Sequence, residues 1–264
     1  MTAPMRRLAL LCLLLPAPVA AEIPADMVTM EVLPGWRAGE GRHVAGLRFR
    51  LAPGWKTYWR APGSAGLAPL YDFAGSEGVA GVEARWPVPE VFRQGGLWFA
   101  GYAGDVTIPL EVAVGPGPAR LAGSVEIGVC DEVCVPVRMS FDVVLPEGGE
   151  RDPLIVAALV DRPMTPEEAG AGASCAVEPA GDGLRLTARI DMAPLGGREA
   201  VVLESDDPSL WVSDAEAAWE GSTLVARAEA FARDGGALEL DRGGLRITVL
   251  GDGRAVDIQG CAAP

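Results

Sequence analysis

One stretch decides how the first half of this 264-residue chain folds: Gly128-Val-Cys130-Asp-Glu-Val-Cys134-Val-Pro136. A disulfide needs Cα atoms about 4.4–6.8 Å apart, whereas residues four apart on an unbroken strand lie about 13 Å apart. If the two cysteines pair, the chain must turn at residues 131–133, either as a hairpin or as a helical turn. β-type residues on both flanks favour the hairpin, and Pro136 disfavours a continuing helix. The flanking residues are Val125, Ile127, Val129, Val135 and Val137.

The N-terminus predicts export. Arg6 and Arg7 precede the apolar run Leu8–Leu15, and small residues follow up to Ala21. This pattern is typical of a secretory signal peptide covering residues 1–21. Because the run is too short to span a bilayer, we expect a soluble periplasmic protein after cleavage.

Four cysteines then remain in an oxidising compartment, where three pairings are open to them. Proximity favours Cys130–Cys134, which leaves Cys175 with Cys261. A zinc site made of all four is the alternative, but it needs the second pair close in sequence. In the chain-entropy model a loop of about 87 residues contributes roughly 4.6 kcal/mol of stability and a loop of about five residues only about 2. We therefore interpret the long bridge as structural and the short one as a candidate redox pair.

Composition excludes several classes of protein. With 49% hydrophobic and 22% charged residues, the chain is globular rather than disordered. A net charge of −14, with Lys56 as the only lysine, argues against a nucleic-acid partner. The only histidine is His43, which argues against Ser-His-Asp or Cys-His catalysis and against histidine metal sites. We expect no metal and no cofactor.

Short apolar runs between Pro and Gly clusters predict an all-β protein with two β-sandwich domains. We place the first at 22–147, a helical linker at 148–174 and the second at 175–264. Asp152 before Pro153 predicts the start of a short helix in the linker. The runs are Val44–Leu51, Val106–Val114, Leu121–Val129 and Val135–Leu145 in the first half, and Leu184–Ile190, Ala200–Glu204, Thr223–Ala230, Ala237–Leu240 and Leu245–Leu250 in the second.

Four motifs in the first half occur together in a known family. They are Gly54-Trp55-Lys-Thr-Tyr58-Trp59-Arg-Ala-Pro62-Gly63, Trp86-Pro87-Val-Pro89, Gly101-Tyr102 and the cysteine stretch itself. From about Met30 to Leu145 the chain resembles the N-terminal periplasmic domain of the thiol:disulfide interchange protein DsbD, and more closely the related ScsB-type proteins. ScsB-type proteins similarly have a second β-domain.

This resemblance implies an immunoglobulin-like first domain in which Cys130 and Cys134 are the redox pair. They would take electrons from a membrane-embedded thiol donor, a separate protein acting in trans, and pass them to periplasmic thioredoxin-fold proteins. It also implies an aromatic-bearing loop that caps the disulfide. The candidate cap or docking residues are Leu97, Trp98, Phe99, Tyr58, Trp59 and Tyr102, of which Tyr58 and Trp59 could equally be core residues.

Two acidic residues lie between the cysteines. Because negative neighbours disfavour a second negative charge, Asp131 and Glu132 predict thiol pKa values above the free value of about 8.5. Acidic residues are also common in turns, which is the plainer explanation.

Two other functions remain open at this stage. One is a non-enzymatic β-sandwich binding or accessory module with two structural disulfides. The other is an exported structural or cell-surface interaction domain unrelated to redox chemistry.

Overall fold

The computed structural model describes residues 27–264 except residues 95, 234, 236 and 237. The expected signal peptide lies outside the described residues. Antiparallel strands dominate, so the expected all-β, sandwich-like fold is confirmed. None of the helices in the described part of the chain is long and apolar enough to cross a membrane.

The first half folds into two facing sheets. One sheet has the strand order β1-β2-β8-β5, and the other has the order β10-β9-β3-β7-β6, with β4 paired to β9. Their inner faces share one hydrophobic core, to which Leu47 and Leu110 contribute from one sheet and Leu121 and Val125 from the other. The strands are β1 (Val28–Arg37), β2 (Arg42–Leu51), β3 (Lys56–Tyr58), β4 (Leu70–Asp72), β5 (Val79–Ala84), β6 (Glu90–Gln94), β7 (Leu97–Ala103), β8 (Asp105–Val114), β9 (Ala119–Cys130) and β10 (Cys134–Leu145).

The β9–β10 hairpin turns at residues 131–133, which confirms the turn predicted from the cysteine spacing. Its register pairs Cys134 with Cys130 and Val137 with Ile127. Side chains alternate between the two faces of a strand, and the odd-numbered residues of both strands, such as Val129, enter the core. The two cysteines therefore lie together on the outer face.

The second half also forms two sheets, with the orders β11-β12-β16-β14 and β13-β17-β18, and β15 pairs with β16. Their shared core includes Leu186 and Ile190 from one sheet and Val201 and Ile247 from the other. The strand expected at Ala237–Leu240 is wrong: residues 238–240 lie in no strand, and Ala237 is outside the described residues. The strands are β11 (Gly172–Ala180), β12 (Gly183–Asp191), β13 (Ala200–Ser205), β14 (Leu210–Val212), β15 (Glu216–Glu220), β16 (Thr223–Ala232), β17 (Leu245–Gly251) and β18 (Arg254–Gln259).

Two short helices connect the halves, α1 (Pro153–Val160) and α2 (Pro166–Ala169). The predicted helix start is confirmed, because the Asp152 side chain accepts hydrogen bonds from the first-turn amides of α1. Ile155 of α1 is fully buried and packs in a cluster with Trp36 and Val44. The second helix, which was not predicted, is stabilised by a capping box. Since β11 begins at residue 172, the segment that links the two halves ends before the expected residue 174.

Polar and apolar contacts join the two halves. Arg60 makes two hydrogen bonds to Glu204, at 3.2 and 2.7 Å, and a third to the Thr248 hydroxyl at 3.0 Å. Ser64 donates from its backbone N–H to Asp214 at 2.8 Å. The core of the first half also extends into residues 202, 250 and 255. The domain boundaries themselves stay a prediction.

Candidate redox site

The Cys130–Cys134 disulfide closes the end of the β9–β10 hairpin. Its Cα atoms are 4.1 Å apart, close to the about 4.5 Å of directly opposed residues in a non-hydrogen-bonded antiparallel pair. Cys130 is only 6% exposed, whereas Cys134 is exposed. One cysteine of the pair is therefore buried and the other is exposed.

Tyr58 contacts both sulfurs. Its hydroxyl oxygen lies 3.0 Å from Cys130 Sγ and 3.2 Å from Cys134 Sγ, and 3.4 Å from the Ala65 carbonyl. Disulfide sulfurs carry no proton, so the phenol is the only donor among these groups. The side chain is 3% exposed, and this burial raises the pKa of Tyr58 above its ordinary value of 10.0. The hydroxyl therefore remains a proton donor at neutral pH.

An aromatic layer continues from Tyr58 across the sheet. The Phe99 ring meets the Tyr58 ring edge-on, with centroids 5.2 Å apart, and stacks on Phe92 at 5.0 Å. Phe92 and Phe99 are directly paired on β6 and β7. Of the expected cap or docking residues, Tyr58 thus contacts the disulfide directly, and Phe99 is joined to it through Tyr58.

Two glycines make room for this layer. A Cβ on Gly128 would lie 2.7 Å from the Tyr58 ring, and a Cβ on Gly101 would lie 2.2 Å from the Thr57 carbonyl oxygen. Both distances are shorter than real Cβ contacts allow. Gly128 therefore leaves room on β9 for the tyrosine ring, and Gly101 lets the backbone of β7 approach β3 closely.

Lys56 was not singled out as a site residue by sequence reasoning, yet it lies beside the disulfide. The β3–β9 pairing puts Lys56 directly opposite Cys130. Its ammonium lies 5.4 Å from the centroid of the Phe92 ring and donates to the Gly54 carbonyl at 3.1 Å. The side chain is half-buried. Nothing in local sequence signals this position, because Lys56 and Cys130 are more than 70 residues apart along the chain.

The turn between the cysteines is open to water. Asp131, Glu132 and Val133 are all exposed, and Val133 is 69% exposed. The Asp131 carboxylate lies over Gly54 in the turn before β3, where a Cβ on that glycine would be 3.5 Å from Asp131 Oδ1. The expected effect of the two acids on the thiols stays a prediction.

The other two residues of the expected cap segment face in different directions. Leu97 shares the Phe99 face of β7 and is 62% exposed at the tip of the β6–β7 hairpin. Trp98 lies on the opposite face of β7. There it lines a cavity of about 420 Å³ together with Arg60 and, from the second half, Trp211. The alternation of side chains along β7 thus separates Trp98 from the disulfide.

Trp59 and Tyr102 lie in the core. Trp59 is 0% exposed and packs beneath the Arg60 guanidinium, 3.9 Å from its ring centroid. Tyr102 is also buried, and its hydroxyl donates to the Pro87 carbonyl at 2.9 Å. Neither side chain is placed to meet a docking partner in this conformation.

The second disulfide joins Cys175 to Cys261, as predicted. Cys175 is fully buried in the core of the second half. Strand β11 also forms a parallel bridge to the last residues, between Ser174 and Ala262. Since two disulfides use all four cysteines, the alternative of a four-cysteine zinc site is wrong.

The chain is similar to known proteins in sequence and in fold. Residues 29–146 match the family model described as thiol:disulfide interchange protein DsbD, N-terminal. A crystal structure of the N-terminal periplasmic domain of ScsB from Proteus mirabilis has the same fold, with a TM-score of 0.67 at 20% sequence identity over 91% of this chain and 96% of that one. No curated protein matches the chain by sequence. The matched residues contain the hairpin, Tyr58, the aromatic layer and both cysteines of the short bridge. Residues 29–146 are therefore a DsbD-type N-terminal domain, and their general chemistry is thiol:disulfide interchange.

Proposed function

We propose that the chain relays electrons by thiol–disulfide exchange at Cys130 and Cys134, from a membrane-embedded thiol donor to periplasmic thioredoxin-fold proteins. The observation that carries this proposal is the position of the disulfide, outside the hydrophobic core cluster and with one of its two cysteines exposed. A disulfide that serves stability alone gains little from a loop this short, about 2 kcal/mol in the chain-entropy model. The family match of residues 29–146 supports the same chemistry.

The difference in exposure between the two cysteines supports different roles for them. Cys134 is exposed, while Cys130 is buried beneath Tyr58. An incoming thiolate therefore attacks Cys134 Sγ, because Cys134 is the exposed cysteine and exchange requires access to the attacked sulfur. Cys130 is then the leaving group.

The donor reduces the disulfide of this chain in two steps. The donor thiolate forms a bond to Cys134 Sγ, the Cys130–Cys134 bond breaks, and Cys130 leaves as a thiolate that takes up a proton. The donor's second thiol then attacks the mixed disulfide and releases Cys134, so the donor becomes a disulfide and this chain becomes a dithiol. In the onward step the Cys134 thiolate attacks the acceptor's disulfide. Cys130 resolves that mixed disulfide, so the acceptor leaves reduced and this chain is oxidised again.

Tyr58 can assist both the opening of the disulfide by the donor and its re-formation as the acceptor is reduced. Its hydroxyl lies within hydrogen-bond distance of both sulfurs, so it can donate to whichever sulfur carries negative charge as the bond opens. Hydrogen bonds to charged groups contribute about 1.5–3 kcal/mol. The aromatic layer of Phe99 and Phe92 holds the tyrosine ring over the disulfide.

The test compares two single-cysteine forms of the hairpin in the full chain, Cys130→Ala and Cys134→Ala. Each reduced variant is mixed with a thioredoxin that retains only its attacking cysteine, blocked as a mixed disulfide with thionitrobenzoate, and release of the yellow anion is followed. Cys130→Ala should form the covalent adduct at least about tenfold faster, because Cys134 is the accessible thiol. Equal rates would refute the assignment of roles, and no adduct with either variant would refute the relay.

A further inference from the structure

The chain's only lysine lies where the short disulfide opens. Lys56 is paired with Cys130 across β3 and β9, and directly opposed residues of antiparallel strands project from the same face with Cβ atoms about 4.5–5.5 Å apart. Tyr58, two residues further along β3, contacts Cys130 Sγ from that same face, as the alternation of side chains requires. Lys56 is thus an immediate neighbour of the buried cysteine.

The ammonium has no acidic partner in the part of the chain that the structure describes. The chain contains 36 acidic residues, yet no carboxylate among the described residues lies within 4 Å of Lys56 Nζ, whereas Arg50 has one such partner and Arg120 has two. Its contacts are the Phe92 ring and the Gly54 carbonyl. A half-buried cation held by a ring and a carbonyl keeps its charge available for an anion that forms nearby.

Given the exchange proposed above, we propose that Lys56 stabilises the thiolate that Cys130 becomes when the disulfide opens. Lys56 is a positioning residue in this role: it acts through the charge on Cys130 and bonds to no reacting atom. It favours Cys130 as leaving group, since a leaving thiol of lower pKa departs faster.

Other charged groups near this face also influence the stability of the Cys130 thiolate. Asp131 and Glu132 in the turn and Glu90 on β6 are exposed, so water screens their charge. Glu126 lies further along β9, opposite Arg138 on β10. Lys56 is half-buried and directly opposite Cys130, so its influence on that sulfur exceeds that of the exposed acids. This balance predicts a lower Cys130 pKa than Asp131 and Glu132 alone would give.

The first measurement titrates Cys130 in the full chain carrying Cys134→Ser, by thiolate absorbance near 240 nm. Lys56→Met should raise the pKa of Cys130 by about one unit, because an opposite charge within about 4–6 Å shifts a pKa by about 1–3 units and solvent reduces the effect. Lys56→Arg should restore most of the shift. Arg50→Met is the matched control: it removes one exposed cation on β2 that pairs with Glu31, and it should leave the Cys130 pKa unchanged.

The second measurement uses the intact disulfide, so it does not depend on the Cys134→Ser variant folding. Reduction of the native protein by glutathione should be about 3–10-fold slower in Lys56→Met than in the wild type, and high salt should narrow the difference. A Lys56→Met effect no larger than that of Arg50→Met, or no rescue by Lys56→Arg, would overturn the role of Lys56. If both readouts respond as expected but thioredoxin-fold proteins do not exchange with the chain, the relay fails while the role of Lys56 stands.

Discussion

Tyr58→Phe removes one oxygen atom from the site and leaves the ring. The Phe99 contact at 5.2 Å and the space provided by Gly128 do not involve the hydroxyl, so the aromatic layer should persist. What disappears is the hydroxyl group that lies within 3.2 Å of both sulfurs and can donate a hydrogen bond to them.

The expected loss of exchange rate depends on how much negative charge develops on the leaving sulfur in the transition state. A hydrogen bond to a full thiolate contributes about 1.5–3 kcal/mol. If about half of the charge has reached the leaving sulfur in the transition state, the barrier rises by about 0.8–1.5 kcal/mol. Since about 1.36 kcal/mol corresponds to a tenfold change in rate, exchange should slow by roughly 4- to 12-fold.

The assay is the second-order rate of reduction of the native disulfide by a reduced thioredoxin-fold protein, measured at pH 7. Tyr102→Phe is the matched control, because it also deletes a buried phenol hydroxyl, but one that donates to the Pro87 carbonyl. Both variants should lose comparable folding stability, and only Tyr58→Phe should slow exchange. Equal rates for the two variants would refute the reasoning that Tyr58 stabilises charge on sulfur.

Three further predictions concern stability. Replacing Cys175 and Cys261 together with alanine should lower the free energy of unfolding by about 4–5 kcal/mol in urea, because an 87-residue loop is released; a loss below about 2 kcal/mol would contradict the structural role. Burial lowers the pKa of His43, so as the pH falls through about 6.5 the unfolded chain takes up the proton before the folded chain does, and stability should fall on acidification. His43→Gln should flatten that part of the pH profile, and an unchanged profile would contradict this. Arg60→Met should cost about 1–3 kcal/mol, because it leaves the Glu204 carboxylate without its guanidinium; if Arg60→Met in a Glu204→Gln background costs as much as alone, the ion pair contributes nothing.

The hairpin could be predicted from the sequence because it depends only on residues that are close together along the chain. Two cysteines four residues apart, flanked by β-type residues, leave only a tight turn if they pair, and the register of β9 and β10 agrees. The pairing of Cys175 with Cys261 followed by elimination. The capping of α1 by Asp152 could also be predicted, because an acidic residue directly before a proline is a local signal for the start of a helix.

The surroundings of the disulfide could not be derived in the same way. Tyr58 and Lys56 reach the cysteines only because the short strand β3 is inserted between β7 and β9, and sequence gives no register for such distant strands. The same limit explains why consecutive aromatic residues were grouped together. Strand alternation sends Phe99 to the disulfide side and Trp98 to the contact with the second half, while Trp59 is buried in the core.

The most direct test of the central claim is a redox titration of the native full-length chain at pH 7, with thiols trapped by alkylation and located by mass spectrometry. The account predicts that Cys130 and Cys134 become labelled together at a midpoint above about −300 mV, the range in which thioredoxin-fold proteins exchange. Cys175 and Cys261 should remain oxidised throughout. A midpoint for Cys130 and Cys134 below about −300 mV, or labelling that appears only when the protein unfolds, would contradict the claim and leave a disulfide that is purely structural.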